Sequence, residues 1–455
     1  MSLEMPTQSR LDFLNHILEN ALKSGADAAE IVYQDARSVG VEVRGAQLEN
    51  LESEETMDLG LRVLVGQKSA TASVSDLRRE TLDRLIERTL FMARHAPDDP
   101  YCALADKDQL YRNQNPIDLD LYDPTLISPQ LLLERALEIE AAGLEKPTKL
   151  NLVSDSAGAG HSYTHTIALA SNGYCNEFKS SGHYLSSSFI AKDQDDTMER
   201  DYDSRSTRHF SDLPSPQSIG LTAANRALER LGSKQISSQK APVLFDKRVS
   251  KSLIGAFLGA INGPSIARGS SFLKDHLDKT LFAKGVRISD DPWRVRGMGS
   301  CLSDDEGLST SPTDYIKDGL LCHFIHNLAS SRQLGMKPTG HASRGLANPS
   351  GASSHNVVLH PGTYSTKELL TGAKTGLIVT AMFGPSLNND TGDWSAGASG
   401  FWFENGEIIH PVSEITVAGN LISMFKTLIP STDLEIRGSV DSPSVLIEQL
   451  SIGGE

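Results

Sequence analysis

Cysteine is scarce in this chain: four residues, Cys102, Cys175, Cys301 and Cys322, stand far apart among 455, with no Cys-x-x-Cys pair. That pattern excludes a disulfide framework or a zinc knuckle and suits reduced, buried thiols. No apolar run reaches the roughly 18 residues a membrane span needs. The first residues, Met1 to Arg10, lack the charged and apolar regions of a secretory leader, so a cytoplasmic protein without membrane contact is expected. No basic run occurs either. With 43 Lys+Arg against 58 Asp+Glu the formal charge is −15, which argues against a protein that grips nucleic-acid phosphates. The common catalytic loops are missing as well: there is no Gly-x-Ser-x-Gly elbow, no Gly-x-x-x-x-Gly-Lys-[Ser/Thr] loop and no Gly-x-Gly-x-x-Gly. Gly372-Ala373-Lys374-Thr375-Gly376 lacks the upstream glycine of a phosphate loop and reads as a turn.

What remains is an ordinary globular composition, 39% hydrophobic and 22% charged, in a chain long enough for several domains. Leu11, Leu14, Leu18 and Leu22 recur at helical steps and Gly25 stands at the stop. Val39, Val41 and Val43, then Met57, Leu59, Leu61, Val63 and Val65, alternate as strands with one buried face do. A helix from about Asp76 carries Leu82, Leu85, Ile86 and Leu90. These give an N-terminal α-β-β-β-α domain over 1–100. Residues 101–127, with Asn115-Pro116 and Asp123-Pro124, read as a linker.

A middle domain over 128–235 is helix, meander, helix. Ser128-Pro129 and Ser215-Pro216 are start signals, a capping hydroxyl followed by proline where its missing donor costs nothing. The stretch between, from Lys149 to Lys192, is strand-rich with a hairpin cue at Asn172-Gly173. From 241 to 455 glycine becomes frequent. After a helix capped by Asp246 the remainder reads as mostly β, with hairpin cues at Asp318-Gly319 and Asn405-Gly406 and strand-like runs at Val357–Leu359, Leu377–Val379 and Phe401–Phe403. The fold class expected is α+β, three-part, ending in a Gly-rich domain with a long curved sheet.

Metal-ligand spacing is thin. No His-Glu-x-x-His occurs; His161 and His165 would share a strand face but lack a visible third ligand. Cys322, His323 and His326 lie in a strand-to-helix passage and form the alternative metal candidate. The acidic runs Asp193, Asp195, Asp196 and Asp304, Asp305, Glu306 read as solvated loop faces, the first because Met198 stands where a calcium loop needs glycine. Asp390 and Asp393 have no identifiable partner and read as part of a Gly-rich loop.

The segment from Ser399-Gly400-Phe401-Trp402-Phe403-Glu404-Asn405-Gly406-Glu407-Ile408 through Pro411-Val412-Ser413-Glu414-Ile415-Thr416-Val417-Ala418-Gly419-Asn420-Leu421 resembles the C-terminal signature of the TldD/PmbA family, long labelled modulators of DNA gyrase. Supporting matches are Leu48–Ser53 with Gly60–Val63, Met198–Tyr202 and Ile316–Gly319, so the likeness runs over nearly the whole chain. The resemblance implies a cytoplasmic peptidase system of two related subunits, TldD and TldE (PmbA), acting on flexible peptides and on leaders of peptide natural products. In the family the catalytic subunit carries His-Glu-x-x-x-His on a helix of the third domain and a Cys ligand near its end. Here the matching helix reads Leu253-Ile254-Gly255-Ala256-Phe257-Leu258-Gly259, and Arg437 to Glu455 contains no Cys.

The resemblance therefore implies a PmbA/TldE-type partner with no catalytic residue and no metal of its own, zinc belonging to a TldD-like mate, with a homodimer possible when alone. Phe401, Trp402, Glu404, Asn405, Glu414, Gly419 and Asn420 of the signature hairpin are the expected peptide path, by strand addition. A purely structural hairpin carries about equal weight. Two other readings stand beside this one. The first is a stand-alone hydrolase using Cys322, His323 and His326, and the second a regulatory module binding a basic protein partner such as gyrase.

Overall fold

The computed structural model describes residues 7–112, 117–145, 151–193 and 197–455. Asn115-Pro116, Lys149, Asp195 and Asp196 lie outside the described residues. The N-terminal half runs α1 (Thr7–Lys23), β1 (Ala28–Arg44), β2 (Gln47–Val65), β3 (Lys68–Val74), α2 (Arg79–His95), α3 (Pro129–Leu144), β4 (Asn151–Ala170), β5 (Cys175–Lys192), β6 (Met198–Thr207) and α4 (Pro216–Glu229). Its strands form one antiparallel sheet in the order β3-β2-β1-β4-β5-β6, so the two regions read separately in the sequence are joined by the β1–β4 ladder.

Period 2 explains how one sheet serves two helix pairs. On β1 the odd residues Ala29, Ile31 and Tyr33 pack under α1 and α2, while Val41 and Val43, on the same face further along, pack against Leu132, Ala136 and Ile139 of α3. Ser128 accepts from Leu131 N and Ser215 from Ser218 N, each with proline at the helix start, as the dipeptides predict. The even face of β1 and β4 is left for the C-terminal part of the chain.

That part begins with β7 (Gln239–Phe245) and α5 (Lys247–Ala260), the latter capped by Asp246, which accepts from Arg248 N. Its further strands are β8 (Ile288–Asp290), β9 (Thr313–Lys317), β10 (Leu320–Leu321), β11 (Ala342–Ser343), β12 (Gly351–Ala352), β13 (Val357–Leu359), β14 (Thr375–Leu387), β15 (Asp393–Glu404), β16 (Glu407–Asn420), β17 (Ile429–Pro430), β18 (Val440–Asp441) and β19 (Val445–Gly453). The expected long, curved sheet curls until it closes. It runs β16-β15-β14-β7-β19, and β19 pairs back onto β16 at Thr416–Ala418.

Bulges drive the curvature: register shifts occur at Val379/Ala381 and Ala398/Gly400. At Gly400 a Cβ would stand 1.8 Å from Ile378 O, so only glycine permits that approach. Leu253, Ile254 and Phe257 of α5 share one core with Val243, Phe245, Leu377, Val379 and Ile447 of the barrel strands. A smaller sheet, β10-β9-β8-β13-β18, lies beside it. Asp318-Gly319 and Asn405-Gly406 make the two-residue hairpins expected, both residues of each at positive φ.

Candidate functional site

The even face of the first sheet and the loops of the C-terminal region enclose a cleft of about 960 Å³. Val32 and Gln34 of β1, Thr166 and Ala168 of β4, and Asn176 and Phe178 of β5 form one wall; Gly299–Asp305, Ala342–Leu346 and Ser353–His355 form the other. Its volume is at the upper end of ligand pockets, and the lining mixes hydroxyls, carboxylates and aromatic rings.

Buried carboxylates hold the loop wall in place. Asp304 Oδ1 accepts from Glu306 N at 3.0 Å and Leu308 N at 2.9 Å, while Oδ2 accepts from Ala342 N at 3.0 Å, tying two loops together. Glu306 accepts from Leu328 N at 2.8 Å. Burial pushes Asp304 up to about 6 and Glu306 up to about 7, more than their backbone hydrogen bonds pull them down. The expectation of a solvated acidic face at Asp304 and Glu306 is thus corrected; only Asp305 is exposed. Runs of acidic residues read as solvent-facing because charge is costly to bury, but Asp304 accepts the backbone donors of a glycine-containing turn and Glu306 the first backbone N–H of the helix Leu328–Leu334.

Behind His355, at the inner end of the cleft, four side chains converge. Asp290 ends β8, Tyr315 lies in β9, His341 precedes β11 and His355 precedes β13. Asp290 Oδ2 stands 3.3 Å from His341 Nε2, 3.2 Å from His355 Nδ1 and 2.7 Å from the Tyr315 hydroxyl. That hydroxyl is 2.8 Å from His341 Nε2, and His341 Nδ1 is 3.0 Å from Thr339 Oγ1. Asp290 is fully buried and His341 nearly so. Burial works against the Asp290 charge, yet hydrogen bonds from His341 and His355 hold its carboxyl far below the usual carboxylate range. Burial lowers His341. It also opposes charge on His355, but the Asp290 carboxylate and the neighbouring Cys301 thiol outweigh it and raise that imidazole to about 10. Among the described residues this is the only group of three His, Cys, Asp or Glu side chains whose ligand atoms lie within 4.8 Å of one another. Nothing in sequence spacing pointed to it, because its members lie on two strands and two loops, 14 to 65 residues apart.

The residues singled out in the sequence lie elsewhere. Cys322 is half-buried with its thiol toward Leu320 O, His323 is exposed, and His326 is buried with Nδ1 3.3 Å from Ser330 Oγ; the three do not converge. His161 and His165 do share a strand face, but His165 bonds Glu177 and Arg10 while His161 stacks on His183. None of Phe401, Trp402, Glu404, Asn405, Glu414, Gly419 or Asn420 lines the cleft. Asn420 caps the helix Leu421–Thr427 and bonds Asp393, Gly419 lies against Leu450 and Met424, and Glu414 is bonded by Gln235. Asp390 sits in the turn before β15, as the glycine-rich spacing suggested, and Asp393 opens that strand, paired with Asn420.

On α5, where the resemblance places a catalytic metal, the outward face carries Gly255 and Gly259, and a Cβ at either would meet open space. Leu253, Ile254 and Phe257 are buried in the core, and β19 offers no cysteine. Those positions hold no donor atom, so a catalytic zinc of the family kind does not fit them.

The three parts of this architecture are matched, one by one, by models of a single metallopeptidase family. Family models for the PmbA/TldA metallopeptidase match at residues 29–93 (domain 1), 122–231 (central domain) and 238–454 (C-terminal domain). The chain is 35% identical to Metalloprotease PmbA of Escherichia coli O157:H7 over 100% of both chains, and 34% identical to a PmbA homologue of Haemophilus influenzae over 99% of this chain and 98% of that one. It belongs to the PmbA/TldD family of metallopeptidases. Among solved structures, a Bacteroides thetaiotaomicron protein described as a modulator of DNA gyrase superposes with a TM-score of 0.90 at 26% identity, covering 99% of this chain and 100% of that one. TldE of Thermococcus kodakarensis shares the fold, with a TM-score of 0.85 at 18% identity over 97% and 100% of the two chains.

Proposed function

We propose that this chain is the non-hydrolytic, PmbA/TldE-type subunit of a cytoplasmic two-subunit zinc metallopeptidase, paired with a TldD-like mate that carries the metal. The observation behind this reading is the bare outer face of α5, two glycines with no donor atom, in a family of metallopeptidases. Without ligands there is no ion to acidify water, and without a glutamate there is no general base beside it.

On this reading the subunit supplies half of a chamber, and the cleft is its peptide-binding surface. A flexible peptide lies between the polar even face of the first sheet and the 299–305 and 342–346 loops. We favour the cleft over the Phe401–Asn420 hairpin because Gly419 and Asn420 are already committed to packing and capping. Alone, the chain is free to pair with itself.

The test is reconstitution. This chain and the TldD-like protein of the same cell are purified separately and mixed, and cleavage of an unstructured peptide is followed by mass spectrometry. The expected result is no cleavage by this chain alone, a 1:1 complex, and cleavage by the mixture above that of the mate. Peptide cleavage by this chain alone would overturn the reading.

A further inference from the structure

We propose that Asp290, His341, His355 and Tyr315 form a closed binding site for a divalent transition-metal ion of the zinc type, separate from the positions the family uses for hydrolysis. The donor set is right: one carboxylate oxygen, two imidazole nitrogens and one phenol oxygen, all buried. The spacing of each imidazole from the carboxylate is right as well. Bonds of about 2.0–2.1 Å to a tetrahedral ion place neighbouring donors roughly 3.3 Å apart. The two imidazole nitrogens stand 3.3 and 3.2 Å from Asp290 Oδ2, while the Tyr315 oxygen, hydrogen-bonded at 2.7 and 2.8 Å, has to move out by about 0.5 Å to take the fourth corner.

The outer partners follow the pattern of ligating histidines, whose second nitrogen is held by a hydrogen bond. His341 has Thr339 Oγ1 at Nδ1, and Thr339 is itself fixed, accepting from His326 N at 2.8 Å and facing His326 O at 3.1 Å. When the Thr339 proton goes to His326 O, Nδ1 of His341 donates to Thr339, and its Nε2 lone pair then faces the Asp290 carboxylate. Two electron-rich atoms 3.3 Å apart in a buried site are a ready cradle for a cation. His355 is also in hydrogen-bonding range of Cys301.

Asp290 Oδ2 in addition takes the His355 backbone N–H at 2.9 Å, so with His355 Nδ1 and the Tyr315 hydroxyl three donors crowd an oxygen with two lone pairs, beside the His341 lone pair. A cation among these atoms relieves that crowding, and on entering it displaces the proton that His355 shares with Asp290. An entry path exists, because His355 and Cys301 line the cleft. With Tyr315 in the fourth corner no position is left for a reacting water. The ion is therefore structural, tying β8 and β9 to the loops ahead of β11 and β13, which wall the cleft.

The experiment uses the full chain, stripped with chelator and titrated with Zn²⁺ alone and, separately, Co²⁺ alone. The expected result is one ion per chain, visible d–d absorption with cobalt, and a raised Tm with either metal. H341Q and H355Q, near-isosteric and checked for native circular dichroism, weaken uptake by more than the roughly 10- to 100-fold that loss of an outer partner costs. C322A leaves it unchanged. A stripped wild-type chain that takes up neither ion in tenfold excess would overturn the proposal, as would an H341Q/H355Q double variant that binds like wild type. The wild-type titration decides even where a variant fails to fold, and no outcome depends on whether the subunit has a catalytic mate.

Discussion

Glu30 and Arg344, 314 residues apart in sequence, meet at 2.8 Å and are buried together, and the same carboxylate oxygen takes Arg62 at 2.9 Å. Glu30 and Arg62 are direct cross-strand partners on β1 and β2, so the C-terminal region docks by inserting one guanidinium into a pair the first sheet already holds.

From this arrangement, Glu30→Ala is expected to be the most damaging change at the junction. It strands two buried guanidiniums and should cost about 3–5 kcal/mol, the usual penalty for an unpaired buried charge. Arg344→Ala leaves Glu30 with Arg62 and should cost less. Urea denaturation of both variants checks the order; a larger loss for Arg344→Ala would refute it.

Backbone approach at the same junction gives a second prediction. A Cβ on Gly60 would stand 2.1 Å from Leu346 O, so Gly60→Ala must push the docked loop away, with an expected loss of about 1–3 kcal/mol. Gly255→Ala, on the open face of α5, should instead gain about 0.5–1 kcal/mol from helix propensity. Thermal unfolding of the two alanine variants side by side separates a steric effect from a general intolerance of change.

The third concerns pH. Glu306 is raised from its usual 4.5 to about 7, so the folded state favours the protonated acid. Its contribution is then fully present below pH 4.5 and is lost as pH rises through 7. Glu306→Gln, which keeps an oxygen for Leu328 N, removes that loss. The variant should be more stable than wild type at pH 8, by on the order of 3 kcal/mol, and the difference should vanish near pH 4.5. Denaturation midpoints across that range test the sign; a variant less stable at pH 8 would contradict it.

A fourth rests on the helix starts. Ser128→Ala and Ser215→Ala each remove the acceptor for one exposed backbone N–H and should cost about 1 kcal/mol apiece. Since the caps sit on different helices, the double variant should lose the sum.

Those caps were readable because the information is local: a Ser-Pro pair, an Asn-Gly or Asp-Gly turn, and alternation over a few residues each specify their own geometry. The β1–β4 ladder and the closure of β16 on β19 were not, since pairing between distant strands depends on which edges remain free after local folding. Asp304 and Glu306 misled for a related reason. Their charge predicted water, and only the tertiary fold supplies the backbone donors that satisfy them indoors. The Asp290 group was invisible because no element carries two of its members. By contrast, the bare α5 face was legible outright, since absent His and Glu need no fold to be seen.

One consequence of the shared sheet concerns what happens when the chain is cut. β1 pairs with β4 from Glu30 to Val43, yet their connection passes through residues 96–128, which contain no helix and no named strand among the described residues. A protease that nicks there breaks one covalent bond and none of the ladder. The two pieces stay together as complementing fragments, each carrying strands the other needs. Separating them takes denaturant, and co-expressing them as two genes should rebuild the sheet.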